Sequence, residues 1–92
     1  MNDEAARWVV AGRVQGVGFR WFAVRLAQRV GVAGWVCNLA DGRVEVVARG
    51  SAQALARLDE GLRTGPRLAR VERVEKSDIP HEWVDANSFE VK

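Results

Sequence analysis

The chain changes direction at GRVQGVGFR (residues 12–20), which joins a strand-like run to a helical run. Gly16 and Gly18 permit positive φ, so that successive backbone N–H groups can form a concave nest. The helix that follows adds its own unpaired N–H groups and the positive end of its dipole. Arg20 supplies a planar fork of donors that matches phosphate or carboxylate oxygens. This turn is therefore predicted to bind an anion.

Outward from this turn, hydrophobic periodicity predicts the order β-α-β-β-α-β, followed by a short extra strand. The compact solution for that order is a split βαβ arrangement. It is an α+β, ferredoxin-like two-layer sandwich, with two helices on one face of a mainly antiparallel sheet. The predicted strands are residues 7–14, 32–38, 43–49, 68–77 and 89–92, and the predicted helices are residues 21–30 and the segment between Ser51 and Gly65.

The fourth predicted strand carries an irregularity. Val71 and Val74 are three positions apart and would fall on opposite faces of a regular strand. A β-bulge would place both on one face, although the sequence does not locate it. Residues 78–88, which include Pro80, are predicted to form a loop.

Size and composition indicate one domain spanning residues 1–92. No segment approaches the roughly 20 apolar residues that a membrane span needs, and residues 1–6 do not resemble a signal peptide. The single cysteine, Cys37, agrees with a reducing compartment. These features predict a cytoplasmic protein without a membrane partner, and a monomer is the default.

The charge pattern does not indicate a nucleic-acid surface. Fourteen basic and twelve acidic residues give a net charge of only +2, and the arginines are scattered among acidic residues. With one histidine and one cysteine, the chain offers no catalytic triad and no cluster with zinc spacing. The glycine turn lacks the Gly-Lys-Ser/Thr ending of a P-loop and is not G-x-G-x-x-G. No metal and no cofactor are therefore expected.

The remaining candidates for chemistry are the anion cradle, Arg20 and Asn38, which ends the second strand. Such a site suits hydrolysis of an activated phosphoryl compound, since phosphoryl transfer depends mainly on positioning and charge stabilisation. A carboxylate leaving group, whose acid has a pKa of about 4, departs without a general acid. An asparagine carbonyl can fix the attacking water. An acyl phosphate fits this inventory, whereas a phosphate monoester fits badly.

Two motifs carry a resemblance to a known family. GRVQGVGFR at residues 12–20, followed by GVAGWVCNLADGRVEVVARG at residues 31–50, resembles the signature of the acylphosphatases. GPRLARV at residues 65–71 and the terminal Phe-x-Val at residues 89–91 also fit. The resemblance implies a ferredoxin-like fold and hydrolysis of the carboxyl-phosphate bond of acyl phosphates, without metal or cofactor and with inorganic phosphate as a product.

The resemblance also implies roles for individual residues. Arg20 matches the substrate-binding arginine of the family, and Asn38 matches its water-orienting asparagine. Leu39 departs from the pattern, since many animal members carry a hydroxyl residue there. The loop whose amides hold the phosphate corresponds to Gln15, Gly16, Val17, Gly18 and Phe19.

Two functions of other classes are alternatives. The same cradle would also suit a module that binds phosphate or carboxylate without turning it over. A single-stranded RNA binder is the second alternative, although packing in the core and at its rim explains Trp8, Trp21, Trp35 and Trp83 better than base stacking does. Acylphosphatase-like domains also occur within larger carbamoyl-transfer enzymes, which would require a much longer chain. The sequence does not name the physiological acyl phosphate.

Overall fold

The predicted element order is present in the computed structural model, which describes residues 3–92. The first helix begins two residues earlier than expected, and the fourth strand lies two residues further along the chain. The elements are β1 (Glu4–Arg13), α1 (Phe19–Val30), β2 (Ala33–Asn38), β3 (Val44–Gly50), α2 (Ala52–Thr64), β4 (Arg70–Ile79) and β5 (Phe89–Val91), with a 3-10 turn at His81–Trp83.

The five strands form one sheet in the order β4-β1-β3-β2-β5. Neighbouring strands are antiparallel except β2 and β5, which pair in parallel. Both helices pack on one face of this sheet, where they enclose the main hydrophobic core. The prediction of a ferredoxin-like α+β sandwich is confirmed.

The core forms from the faces that the periodicity indicates. Trp8 and Val10 of β1 are fully buried against the helices. Leu26 of α1 lies so close to Gly61 of α2 that a Cβ on this glycine would come within 2.4 Å of the Leu26 side chain. Burial of each large apolar side chain contributes about 1.5–3 kcal/mol. The buried positions of α2 are those of the predicted stripe: Ala54, Leu55, Leu58 and Leu62.

The expected bulge lies at Glu72 in β4. The register between β1 and β4 passes from Ala11 paired with Arg73 to Gly12 paired with Val71, so Glu72 has no partner of its own. The extra residue allows Val71 and Val74 to pack against the same core.

Topology brings two distant segments to one edge of the sheet. β1 and β2 flank β3, and both run antiparallel to it, so they are parallel to each other and end at the same edge. Val44 of β3 pairs with both Val10 and Asn38, which fixes the positions of β1 and β2 relative to each other along the strand direction. The glycine turn therefore leaves β1 beside the end of β2.

Substitution of Gly12 tests the bulge. Gly12 has φ +130°, and a Cβ there would lie 2.1 Å from the carbonyl oxygen of Arg70. Gly31 is the matched control, since it has φ +84° with open space around a Cβ. Gly31→Ala is expected to cost only the left-handed backbone penalty of about 1–2 kcal/mol, and Gly12→Ala clearly more. Urea denaturation measures both, and equal losses would contradict the close approach.

The Asp59 carboxylate accepts hydrogen bonds from the Trp8 indole at 3.0 Å and from Arg63. Partial burial raises the pKa of Asp59, but these hydrogen bonds outweigh it, and the net pKa is lowered. The resulting stabilisation is present above about pH 4, the pKa of an unfolded aspartate, and is lost as the pH falls through the lower folded-state pKa.

Asp59→Asn keeps an acceptor for Trp8 but loses the charge. The difference in unfolding free energy between wild type and this variant is therefore expected to be largest at neutral pH and to shrink below about pH 4. Urea denaturation across this pH range measures the difference. A constant difference down to about pH 2 would show that ionisation of Asp59 does not stabilise the fold.

Candidate active site

The glycine turn adopts the conformation that an anion nest requires. Gly16 and Gly18 have φ of +74° and +81°, while Val17 between them has negative φ. Such alternation turns successive N–H groups toward one side of the backbone. Gly18 is also the N-cap of α1 and supplies no side-chain hydrogen bond to it. The first N–H groups of the helix are therefore left for another acceptor.

Electrostatics at the start of α1 favour a negative ligand. The first turn contains no acidic residue that would neutralise the helix dipole. Within residues 3–92, Arg20 forms no ion pair, and the side chain of Asn38 makes no hydrogen bond to protein. Both residues are exposed. The donors at this edge of the sheet are therefore available to a ligand.

These groups meet in one small pocket. Its volume is about 70 Å³, far below the roughly 300 Å³ or more of pockets for larger ligands. A small anion suits this space, whereas a nucleotide does not. The pocket is lined by Val14, Gly16, Gly18, Phe19, Arg20, Trp21 and Asn38.

The side chain of Gln15 ties the glycine turn to the loop that follows β2. Its Nε2 donates to the carbonyl oxygens of Leu39 at 2.8 Å and Arg43 at 3.0 Å. A backbone hydrogen bond from the Leu39 N–H to the Arg43 carbonyl joins the two ends of this loop. The Asp41 carboxylate accepts a hydrogen bond from the Arg43 backbone N–H, and this hydrogen bond lowers the pKa of Asp41. The Gln15 side chain thus holds the loop that follows Asn38 against the glycine turn.

The predicted site residues divide into two groups. Gly16, Gly18, Phe19, Arg20 and Asn38 line the pocket, while Gln15 and Val17 do not. Sequence reasoning missed two lining residues. Val14 directly follows β1 and continues the alternation of buried and exposed residues of that strand. Its side chain is therefore buried beneath the glycine turn. Trp21 is 67% exposed, and a tryptophan on the polar side of a predicted amphipathic helix was the available signal.

Other features of residues 3–92 bear on the alternative functions. The structure contains no helix with the length and apolar character to cross a membrane and no group of three or more His, Cys, Asp or Glu side chains arranged around a metal site. Cys37 is half-buried with its Sγ 3.5 Å from Glu45, and burial, followed by this carboxylate, raises the pKa of the thiol. The neutral thiol is therefore favoured.

The sheet face opposite the helices is the surface that an RNA binder of this topology would use. Part of it is covered, because Val84 is fully buried there against Ala5 and Val47. Beside this cluster, Arg7 donates to the Glu45 carboxylate at 2.6 Å. Neither feature favours base stacking. Of the four tryptophans, Trp8 is buried in the core, whereas Trp21 and Trp83 are exposed.

Comparisons with known proteins show the family of the chain. The family model Acylphosphatase matches residues 6–91. The chain is 50% identical over 91 residues to a protein named acylphosphatase from Koribacter versatilis. The match covers 99% of this chain and 82% of that protein. The crystal structure of acylphosphatase from Bacillus subtilis matches with a TM-score of 0.91 at 36% identity, over 97% of this chain and 98% of that one.

The same unit also occurs inside a longer protein. HypF from T. kodakarensis matches 97% of this chain with a TM-score of 0.83 and 37% identity, over 12% of its own length. The family match nonetheless runs through almost all of this chain, and the first relative is covered over most of its length. The chain therefore belongs to the acylphosphatase family and to the acylphosphatase class of enzymes.

Proposed function

We propose that this single-domain protein hydrolyses the carboxyl-phosphate bond of acyl phosphates with its own side chains and amides, without metal or cofactor. The observation that carries the proposal is the meeting of Arg20, Asn38 and the glycine turn in one pocket of about 70 Å³. The protein acts as a monomer in the cytoplasm. Its substrate is a small molecule, and inorganic phosphate is a product.

Binding of the phosphoryl group falls to the turn and to Arg20. The N–H groups of residues 15–19 and the start of α1 donate to its nonbridging oxygens, and the helix dipole favours its negative charge. The Arg20 guanidinium adds charge-assisted hydrogen bonds. Because these donors are already in place before the substrate binds, they stabilise charge in the transition state with little reorganisation.

Asn38 orients the nucleophile. Its side-chain carbonyl accepts a hydrogen bond from a water molecule and holds it in line with the bond to the acyl oxygen. The water oxygen bonds to phosphorus as the bond from phosphorus to the acyl oxygen breaks. The bonding electrons leave with the carboxylate, and both protons of the water end on the phosphate, which is released as dihydrogen phosphate. No general acid is needed, because the leaving carboxylate is a weak base with a conjugate-acid pKa of about 4.

Gln15 acts as a positioning residue in this proposal. Its two hydrogen bonds, at 2.8 and 3.0 Å, hold the loop after Asn38 against the turn that carries the phosphoryl group. Small displacements between nucleophile and reacting centre cost about 100-fold in rate. The backbone N–H of Gln15 is one of the groups that bind the phosphate. Its side chain fixes the distance between the glycine turn and Asn38.

The division of labour between Arg20 and Asn38 is the first test. Arg20→Ala is expected to lower kcat/KM for acetyl phosphate by about 100-fold or more and to weaken inhibition by inorganic phosphate. Asn38→Ala is expected to lower kcat by about 100-fold while phosphate inhibition is unchanged. Assays in EDTA measure both, with the exposed Arg25→Ala on the same helix as control.

The results separate an enzyme from a binding module. An equal loss of phosphate affinity in Arg20→Ala and Asn38→Ala would contradict the separate roles. Tight phosphate binding without hydrolysis of any acyl phosphate by the wild-type protein would support a binding module instead. Hydrolysis that depends on added metal ions would contradict the proposed chemistry.

Gln15→Ala tests the positioning role. The variant is expected to lose about 10- to 100-fold in kcat with a small change in phosphate inhibition, because the loop after Asn38 is released while the amide nest remains. Ser51→Ala is the matched control for stability. Ser51 caps α2 by accepting from the Ala54 N–H at 3.1 Å, and its loss costs about 1 kcal/mol. If both variants kept full activity, Gln15 would have only a structural role.

A further inference from the structure

A second, larger groove opens beside the phosphate pocket, between α1 and β5. Its volume is about 390 Å³, more than five times that of the pocket. Arg20 and Trp21 line both spaces, so the groove lies next to the proposed reaction site. The groove is lined by Arg20, Trp21, Val24, Phe89, Glu90 and Val91.

Apolar side chains dominate this groove. Trp21 and Val91 are exposed by 67% and 39%, and Val24 and Phe89 form a nearly buried floor. Large apolar side chains that remain exposed beside each other on a small domain often mark a binding surface. Two other exposed large apolar residues, Leu68 and Trp83, do not line this groove.

The side chain of Glu90 lies on the face of the sheet opposite the groove. Neighbouring residues of a strand alternate between faces, and Phe89 packs into the helix-side core. Glu90 pairs in register with Trp35 and accepts from the Ser88 hydroxyl at 3.2 Å. Glu90 therefore contributes mainly backbone to the groove, and Arg20 is the charged side chain that faces it.

We propose that the groove binds the acyl group of the substrate and selects uncharged aromatic or aliphatic acyl phosphates. This inference rests on the proposed function, since it places the phosphoryl group in the neighbouring pocket. The acyl group extends past Arg20 and packs on Trp21, Val91 and the floor of the groove. An anionic acyl group gains nothing there, because Arg20 already binds the phosphoryl oxygens and the other side chains are apolar.

The test compares acetyl, benzoyl and succinyl phosphate. Wild-type kcat/KM is expected to be highest for benzoyl phosphate and lowest for succinyl phosphate. Trp21→Ala and Val91→Ser are expected to lower the benzoyl-to-acetyl ratio of kcat/KM by about tenfold, the scale on which apolar pockets discriminate. Trp83→Ala is the matched control, since Trp83 is 69% exposed and lies outside the groove. Its ratio is expected to equal that of wild type.

A binding measurement separates failure of this inference from failure of the proposed function. Benzoylphosphonate and acetylphosphonate lack the bridging oxygen, so their Kd values report on the groove without turnover. The Kd ratio is expected to favour benzoylphosphonate in wild type and to fall by about tenfold in Trp21→Ala. Absence of acyl phosphate hydrolysis would overturn the proposed function alone. Equal ratios in wild type, Trp21→Ala and Trp83→Ala would overturn the role of the groove.

Discussion

The side-chain amide of Gln15 connects the two halves of the site. It donates to the carbonyl oxygens of Leu39 and Arg43, so the glycine turn and the strand end that carries Asn38 belong to one hydrogen-bonded unit. Without this link, each half would still form from its own local sequence. Their separation would then depend on the movement of two loops, and hydrolysis by positioning alone tolerates little such movement.

The sheet makes this link possible. β1 and β2 flank β3 and run parallel to each other, so their ends reach the same edge although the glycine turn and Asn38 are distant in the sequence. The bulge opposite Gly12 keeps both valines of β4 in the core near this edge. The same order places β5 beside β2 and next to α1, which creates the apolar groove. One topology thus positions both the proposed phosphoryl and acyl sites.

Features set by short stretches of chain were predictable from the sequence, and those set by distant contacts were not. The positive φ of Gly18 follows from its place between strand and helix, but it also lets α1 start at Phe19, earlier than periodicity suggested. The bulge at Glu72 was expected without a position, since its place depends on the pairing of β4 with β1. The Gln15 link and the exposure of Trp21 beside β5 arise from contacts between distant segments.

We propose that the turn, Arg20 and Asn38 surround a single tetrahedral anion. The most direct measurement is a titration of ¹⁵N-labelled protein with inorganic phosphate, followed by two-dimensional NMR. Saturable shifts are expected at the backbone amides of residues 15–20, at the Arg20 Nε–H and at the Asn38 side-chain amide, with one common Kd. Shifts scattered over other arginines, with these signals unchanged, would contradict it.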